Sequence, residues 1–378
     1  DNISESSYEA YYSYVSLGAS AFFQNQLGTF TGFVGYSAHE DPSGTGPWRH
    51  SGHIKMTYSG LYPVIEAAFD INDRASRTLA GISVPDLNTG TVTKEYGYIY
   101  SRSPLVSGSL SMYIPFNLSS GGWSRGLIPA ISYEISNDSF DTGNNVLLPS
   151  GLHPEYGDAG TNVTYRRLSI YQALSASLRY YAMIPAAHAD VYPEWGFGIE
   201  AGASVHPGLG DMVSPSAYLH VYGYTPGIYG NQGLMISATM NKRIGGSTLF
   251  VSGVNTLPRG LSANESLTSW AAGQSYGVKL SAAYAMPFPM GDFHIGNLFY
   301  VTRGIITPHF DYSFLGKEQL FSAGATLEVE FANFIGLEFP ATLGVTYSYN
   351  GGPSFSRFDR AGFGPGRHYV GPVFSIDF

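Results

Sequence analysis

In Tyr276-Gly277-Val278-Lys279-Leu280-Ser281-Ala282-Ala283-Tyr284-Ala285-Met286, Tyr276, Val278, Leu280, Ala282, Tyr284 and Met286 share one face, while Gly277, Lys279, Ser281 and Ala283 fill the other. A period of two marks a strand with one apolar side. The two tyrosines bracket the aliphatic stretch. At ~3.3 Å per residue they stand about 26 Å apart, which after tilting suits the aromatic girdles of a ~25 Å apolar band. The pattern recurs where Phe321, Ala323, Ala325, Leu327, Val329 and Phe331 alternate with Ser322, Gly324, Thr326, Glu328 and Glu330. A sandwich in water also alternates, but a polar face this rich in Gly and Ser, opposite an apolar face with aromatics at both ends, points to lipid.

Composition agrees. Charged residues make up 12% of the 378, against about 25% in an average soluble domain. Aromatics reach 15%, with 29 Tyr and 23 Phe, and there are 47 Gly. Mean hydropathy is −0.03, so apolar residues are interleaved with Gly, Ser, Thr and Tyr. No run of ~18 apolar residues occurs, which excludes helical spanning, whereas a barrel crosses with segments of only ~10 alternating residues. A net charge of −9 argues against nucleic acid as a partner. The absence of Cys removes disulfide frameworks and thiolate zinc sites, and no cofactor is implied.

Alternating segments follow one another along the chain: 15–23, 29–38, 54–58, 65–71, 106–116, 127–135, 166–184, 195–205, 215–225, 234–240, 276–286, 297–313, 321–331, 337–349 and the terminal strand. The expectation is an all-β fold, a transmembrane antiparallel β-barrel of about 14–16 strands over residues 1–378. Pro115, Pro129, Pro308 and Pro340 fall inside these segments, where bulges are expected to accommodate the missing donors. Short links are expected at 26–29, 60–62, 118–122, 185–192, 225–231, 287–292 and 333–336. Longer ones are expected at 39–48, 74–104, 138–165, 244–272 and 350–366. That asymmetry predicts periplasmic turns on one side and extracellular loops on the other.

The chain closes on Gly371-Pro372-Val373-Phe374-Ser375-Ile376-Asp377-Phe378, which resembles the closing strand of a bacterial outer-membrane barrel. The resemblance implies that Gly371, Phe374, Ile376 and Phe378 serve barrel closure and signal insertion to the barrel-assembly machinery. If that strand ends in the periplasm, counting back makes 12–25 run inward from the cell surface. Bacterial single-chain barrels have even strand numbers, so either an upstream strand or N-terminal domain is expected, or the count is off by one.

Residues 14–73 contain Ser16-Leu17-Gly18-Ala19-Ser20-Ala21, Gln24-Asn25-Gln26-Leu27-Gly28-Thr29, Gly35-Tyr36-Ser37 and Thr57-Tyr58-Ser59-Gly60-Leu61-Tyr62-Pro63-Val64-Ile65. This text resembles the C-terminal outer-membrane β-barrel of Bacteroidota envelope proteins whose full-length chains carry an N-terminal TolB-like β-propeller. The resemblance covers the barrel, and this sequence contains no propeller repeat. It implies an outer-membrane location and further envelope proteins as partners.

Strand parity puts Lys55, Glu66, Asp70, Glu134, Arg179, Glu200, Lys279, Arg303, Asp311, Glu328, Glu330 and Glu338 on the inner face. Among these, Lys279, Arg303, Asp311, Glu328, Glu330 and Glu338 form the expected lumen charge network. It reads as ion pairs that cement a filled lumen, with a charged solute path as the alternative. His50 and His53, with His39, Glu40 and Asp41 nearby, could form a loop metal site, but a spacing of three along a strand puts two histidines on opposite faces, so only a turn there would let both bind and no metal residue is assigned. His309 and Asp311 share a face suited to base chemistry, but no serine-nucleophile motif accompanies them, so no catalytic residue is assigned. The alternation in Tyr96-Gly97-Tyr98-Ile99-Tyr100 predicts a hairpin beyond the membrane that suits protein contact. The expected function is non-enzymatic: a membrane-embedded subunit or scaffold of a cell-envelope complex, barrel assembly included, contacting outer-membrane lipid and other envelope proteins through extracellular loops. A transport pore for a solute or lipid is the alternative, with a lipid or peptide hydrolase third.

Overall fold

The computed structural model describes residues 17–40, 48–72, 77–85, 92–101, 104–137, 146–147, 162–163, 170–187, 189–207, 214–245, 254–272, 274–296, 299–334, 341–360 and 366–376. In chain order the strands are β1 (Leu17–Gln24), β2 (Phe30–Glu40), β3 (Trp48–Tyr58), β4 (Val64–Ile71), β5 (Arg77–Pro85), β6 (Val92–Ser101), β7 (Val106–Tyr113), β8 (Phe116–Asn117), β9 (Ser124–Ser136) and β10 (Val146–Leu147). They continue as β11 (Asn162–Val163), β12 (Tyr171–Met183), β13 (Gly196–Val205), β14 (Ser216–Pro226), β15 (Gly233–Arg243), β16 (Tyr276–Ile295), β17 (Phe299–Leu315), β18 (Glu318–Phe334), β19 (Ala341–Gly351) and β20 (His368–Ile376). Two short helices interrupt them, α1 (Glu265–Ala272) and α2 (Phe355–Arg360).

Fifteen strands form one antiparallel path, β1-β2-β3-β4-β7-β9 and then β12 through β20 in sequence order, with β8 added to β9. Among the described residues β1 and β20 do not pair, and an antiparallel path of fifteen makes them run in the same direction. The hairpin β5–β6 leaves this path. The short strands β10 and β11 of the next long loop flank it, so two loops build a separate sheet in the order β10-β6-β5-β11. The ends of the main sheet are called here the turn end, where β1 meets β2, and the loop end, where β15 connects to β16.

Alternation decides the two faces. Leu280, Leu327 and Phe310 stand about half exposed on the outer face, while Ser281, Asp311 and Ser322 beside them point inward. The bracketing tyrosines tie their strand to links at both ends. The Tyr276 hydroxyl donates to Gly316 O at 2.6 Å at the loop end. At the turn end the Tyr284 hydroxyl donates to Gln232 Oε1 at 2.5 Å and accepts from Ile228 N at 2.8 Å.

Three expectations change. The link expected at 287–292 is strand: β16 is 20 residues long and pairs with β17 through Pro287 and Pro289 before its register shifts between Pro289 and Phe293. Gly291 sits in that irregularity at φ 73, a conformation without penalty for glycine. β15 ends at Gly233 opposite Ala285, so residues 286–295 form an edge on that side, where proline costs no ladder bond. Second, Pro308 lies in unbroken register opposite Ala325 without a bulge. Third, Pro115 falls in the break between β7 and β8, and Pro129 lies opposite it, its carbonyl accepting from Ile114 N at 3.1 Å. One break absorbs both residues. Pro340 lies outside the described residues.

Candidate functional site

The loop expected at 244–272 does not stay outside the wall. Residues 254–272 fold back onto the inner face of β17, β18, β19 and β20, with Val254, Thr256, Leu257, Pro258, Gly260, Leu261 and Leu267 buried. At its centre is a single 3-10 turn, Arg259–Leu261. Asp311 of β17, fully buried, accepts from Arg259 N at 2.8 Å, and its carboxylate faces the guanidinium with Nε–Oδ2 3.4 Å and Nη2–Oδ1 3.5 Å. Gly260 N donates to Ser322 Oγ at 3.3 Å, and Asn350 Nδ2 donates to Gly260 O at 2.9 Å. A Cβ on residue 260 would meet Ser348 Cβ at 2.6 Å and Ser322 Oγ at 2.9 Å, so the turn approaches the wall as only glycine can.

An apolar cluster holds the rest of the segment. Leu257, Leu261 and Leu267 pack with Leu315 and Leu320 at the β17–β18 turn and with Phe355 and Phe358 of α2. Trp270 meets Phe358 edge-on at a centroid distance of 4.6 Å. α1 starts at an N-cap, since Asn264 Oδ1 accepts from Leu267 N at 2.9 Å.

The charged residues assigned to the inner face divide into separate groups. Arg303 of β17 pairs with Glu330 of β18, and Asp311 is taken by Arg259. Lys279 lies in the electrostatic surroundings of Asp311 and Arg259, and Glu328 in those of Tyr192. Lys55 and Glu66 pair at 3.5 Å. Arg179 Nη2 donates to the Tyr222 hydroxyl at 3.4 Å, and the Tyr218 hydroxyl donates to Glu200 Oε1 at 2.8 Å. Glu134 joins Ser132, Ser177, Ser204, His206 and Tyr218 around a cavity of about 250 Å³ on the wall of β9, β12, β13 and β14. Glu338 lies outside the described residues.

Histidine geometry decides the remaining chemistry. His53 Nδ1 is 2.8 Å from Asp70 Oδ1 on the inner face, whereas His50 Nδ1 is 2.6 Å from the Tyr36 hydroxyl on the outer face. Thus the two do not converge. His39, Glu40 and Asp41 contribute no described side chains. His309 Nε2 does meet a serine, Ser348 Oγ at 3.0 Å, across the inner wall. Asp311 is committed to Arg259 and does not orient that histidine, and Ser348 is fully buried beneath Gly260.

In the terminal strand, Phe374 is 54% exposed on the outer face and Gly371 is buried beside the Tyr369 ring. Ile376 pairs with Ala341, and Phe378 lies outside the described residues. Sequence reasoning missed Arg259, Gly260, Ser322, Ser348 and Asn350 as a group. The available signal was the apolar content of a supposedly solvated loop: Val254, Leu257, Leu261, Leu267 and Trp270 within 254–272.

No protein-family model and no curated protein matches the sequence. Among solved structures, CdiB from Escherichia coli matches with a TM-score of 0.51 at 11% identity, over 96% of this chain and 59% of that one. BamA from Haemophilus ducreyi lacking POTRA domains 1–3 matches with a TM-score of 0.48 at 12% identity, over 96% of this chain and 67% of that one. The chain thus spans about three fifths of the length of CdiB. At this identity the likeness concerns the fold alone, an antiparallel β-barrel architecture of the outer-membrane kind.

Proposed function

We propose that this chain is an integral outer-membrane barrel acting as a membrane-embedded subunit of cell-envelope assembly or secretion machinery, with no catalytic role. The observation that carries the reading is the seating of 254–272, whose buried cluster and Asp311 anchor occupy the inner face on which a solute path would depend. The Arg259–Asp311 pair at that seat and the Arg303–Glu330 pair further along β17 support a packed lumen. The outer face presents exposed Leu, Ile, Val and Phe suited to lipid. In this reading contact with other envelope proteins falls to the long loops, two of which build the separate sheet of β5, β6, β10 and β11. Origin in a Bacteroidota envelope protein with an upstream propeller is supported by residues 14–73.

A transport pore is the second reading, favoured by the polar cavity around Glu134 and His206. Single-channel recording of the purified chain in planar bilayers separates the two. A scaffold with a packed lumen stays closed, and a steady, uniform conductance refutes it in favour of the pore. The hydrolase reading lacks an accessible nucleophile at its best candidate, Ser348, and a lipase and protease screen tests it directly.

A further inference from the structure

The described residues of the link between β12 and β13, 184–187 and 189–195, form a closed unit. Ile184 N donates to Trp195 O at 2.8 Å and shuts its base. Within it, Asp190 N donates to Ala187 O at 2.9 Å, and Ala187 N donates to Asp190 Oδ2 at 3.1 Å. A loop with joined ends and internal bonds is an Ω-type element, compact on its own and outside the strand ladder.

From that base the link extends over the inner face at the turn end. The Tyr192 ring lies 5.6 Å from that of Tyr224 on β14, and a Cβ on Gly233 of β15 would meet Tyr192 Cβ at 3.1 Å. Its far side reaches β17, where the wall projects beyond β15. Arg303 Nη1 donates to Ala189 O at 2.8 Å and to Asp190 O at 3.5 Å, while Nε and Nη2 of the same guanidinium hold Glu330 of β18.

We propose that residues 184–195 are a detachable strap closing the inner face at the turn end, and that Arg303 is the positioning residue that clamps it. The guanidinium presents five donors in a planar fork, so it can serve a carboxylate along one edge and backbone carbonyls with another nitrogen. An ammonium at this position would keep the charge pair but could not span both. The strap is bonded to β17 and the loop segment to β17, β18 and β19 through different residues, so release of one leaves the hydrogen bonds of the other in place.

Hydrogen exchange read by mass spectrometry on the full chain in lipid nanodiscs tests this. In Arg303→Ala, peptides covering 184–195 should exchange about tenfold faster or more, the change expected on losing a charge-assisted hydrogen bond, while 254–272 keeps its protection. Arg303→Lys should release the strap to a similar degree although the charge is retained. Glu330→Gln should leave it seated, because the carbonyl bonds remain. Unchanged exchange in 184–195 in Arg303→Ala, full retention by Arg303→Lys, release by Glu330→Gln, or an equal rise in 254–272 would each overturn the proposal.

Discussion

Asp311→Ala should detach the loop segment while leaving the wall intact. The carboxylate accepts the Arg259 amide at 2.8 Å and faces its guanidinium at 3.4 and 3.5 Å. A hydrogen bond to a charged acceptor contributes about 1.5–3 kcal/mol, and the orphaned amide adds to the loss where it stays buried. The Arg259 side chain is 39% exposed, so its ion pair is discounted to about 0.5–1 kcal/mol. The segment should therefore lose about 2–4 kcal/mol, which lowers its exchange protection about 30- to 700-fold. Arg259→Ala keeps the amide bond and should lower protection by a factor of about 2–5. Hydrogen exchange over peptides 254–272 in nanodiscs reads both variants. Heat-dependent mobility in gels, which reports the wall, should be unchanged. If Arg259→Ala releases the segment as much as Asp311→Ala does, the Asp311–amide anchor is not what holds it.

Leu280→Arg places a charge on the lipid face and should cost about 2–4 kcal/mol at mid-bilayer, whereas Lys279→Ala on the opposite face should cost much less. Equal tolerance in a refolding titration counts against the assigned faces. Leu267→Ala empties a fully buried position in the loop-end cluster and should cost about 2–5 kcal/mol, read as earlier proteolytic cleavage within 254–272 and not within the strands. Deleting Phe378 should reduce outer-membrane insertion more than deleting Asn144 does, measured by membrane fractionation, and equal insertion removes the terminal residue as a signal.

The wall was legible because each strand writes its own period. Tyr276 to Met286 and Phe321 to Phe331 declare their faces from local text, and the pairing partners follow from a meander of neighbours. Residues 287–292 misled because Pro287, Pro289 and Gly291 are also what a turn would contain. Their tolerance depends on β15 stopping at Gly233, which no local pattern records. The anchor was illegible for the same reason in stronger form. Arg259 meets Asp311 52 positions away and Gly260 meets Asn350 90 positions away, and a single Arg-Gly pair in a loop carries no period. The expected charge network held no place for a loop residue, yet Asp311 accepts from Arg259 of the loop segment while Arg303 pairs with Glu330.

The cluster of Leu257, Leu261, Leu267, Leu315, Leu320, Phe355 and Phe358 gives this barrel two different solvents to fold against. Its lipid-facing wall is held by backbone bonds that have no aqueous competitor. The cluster is held by exclusion from water, a force that is largely entropic near room temperature and fades on cooling. Temperature therefore acts unequally on the two parts: chilling weakens the seating of the loop segment while the strand ladder around it persists.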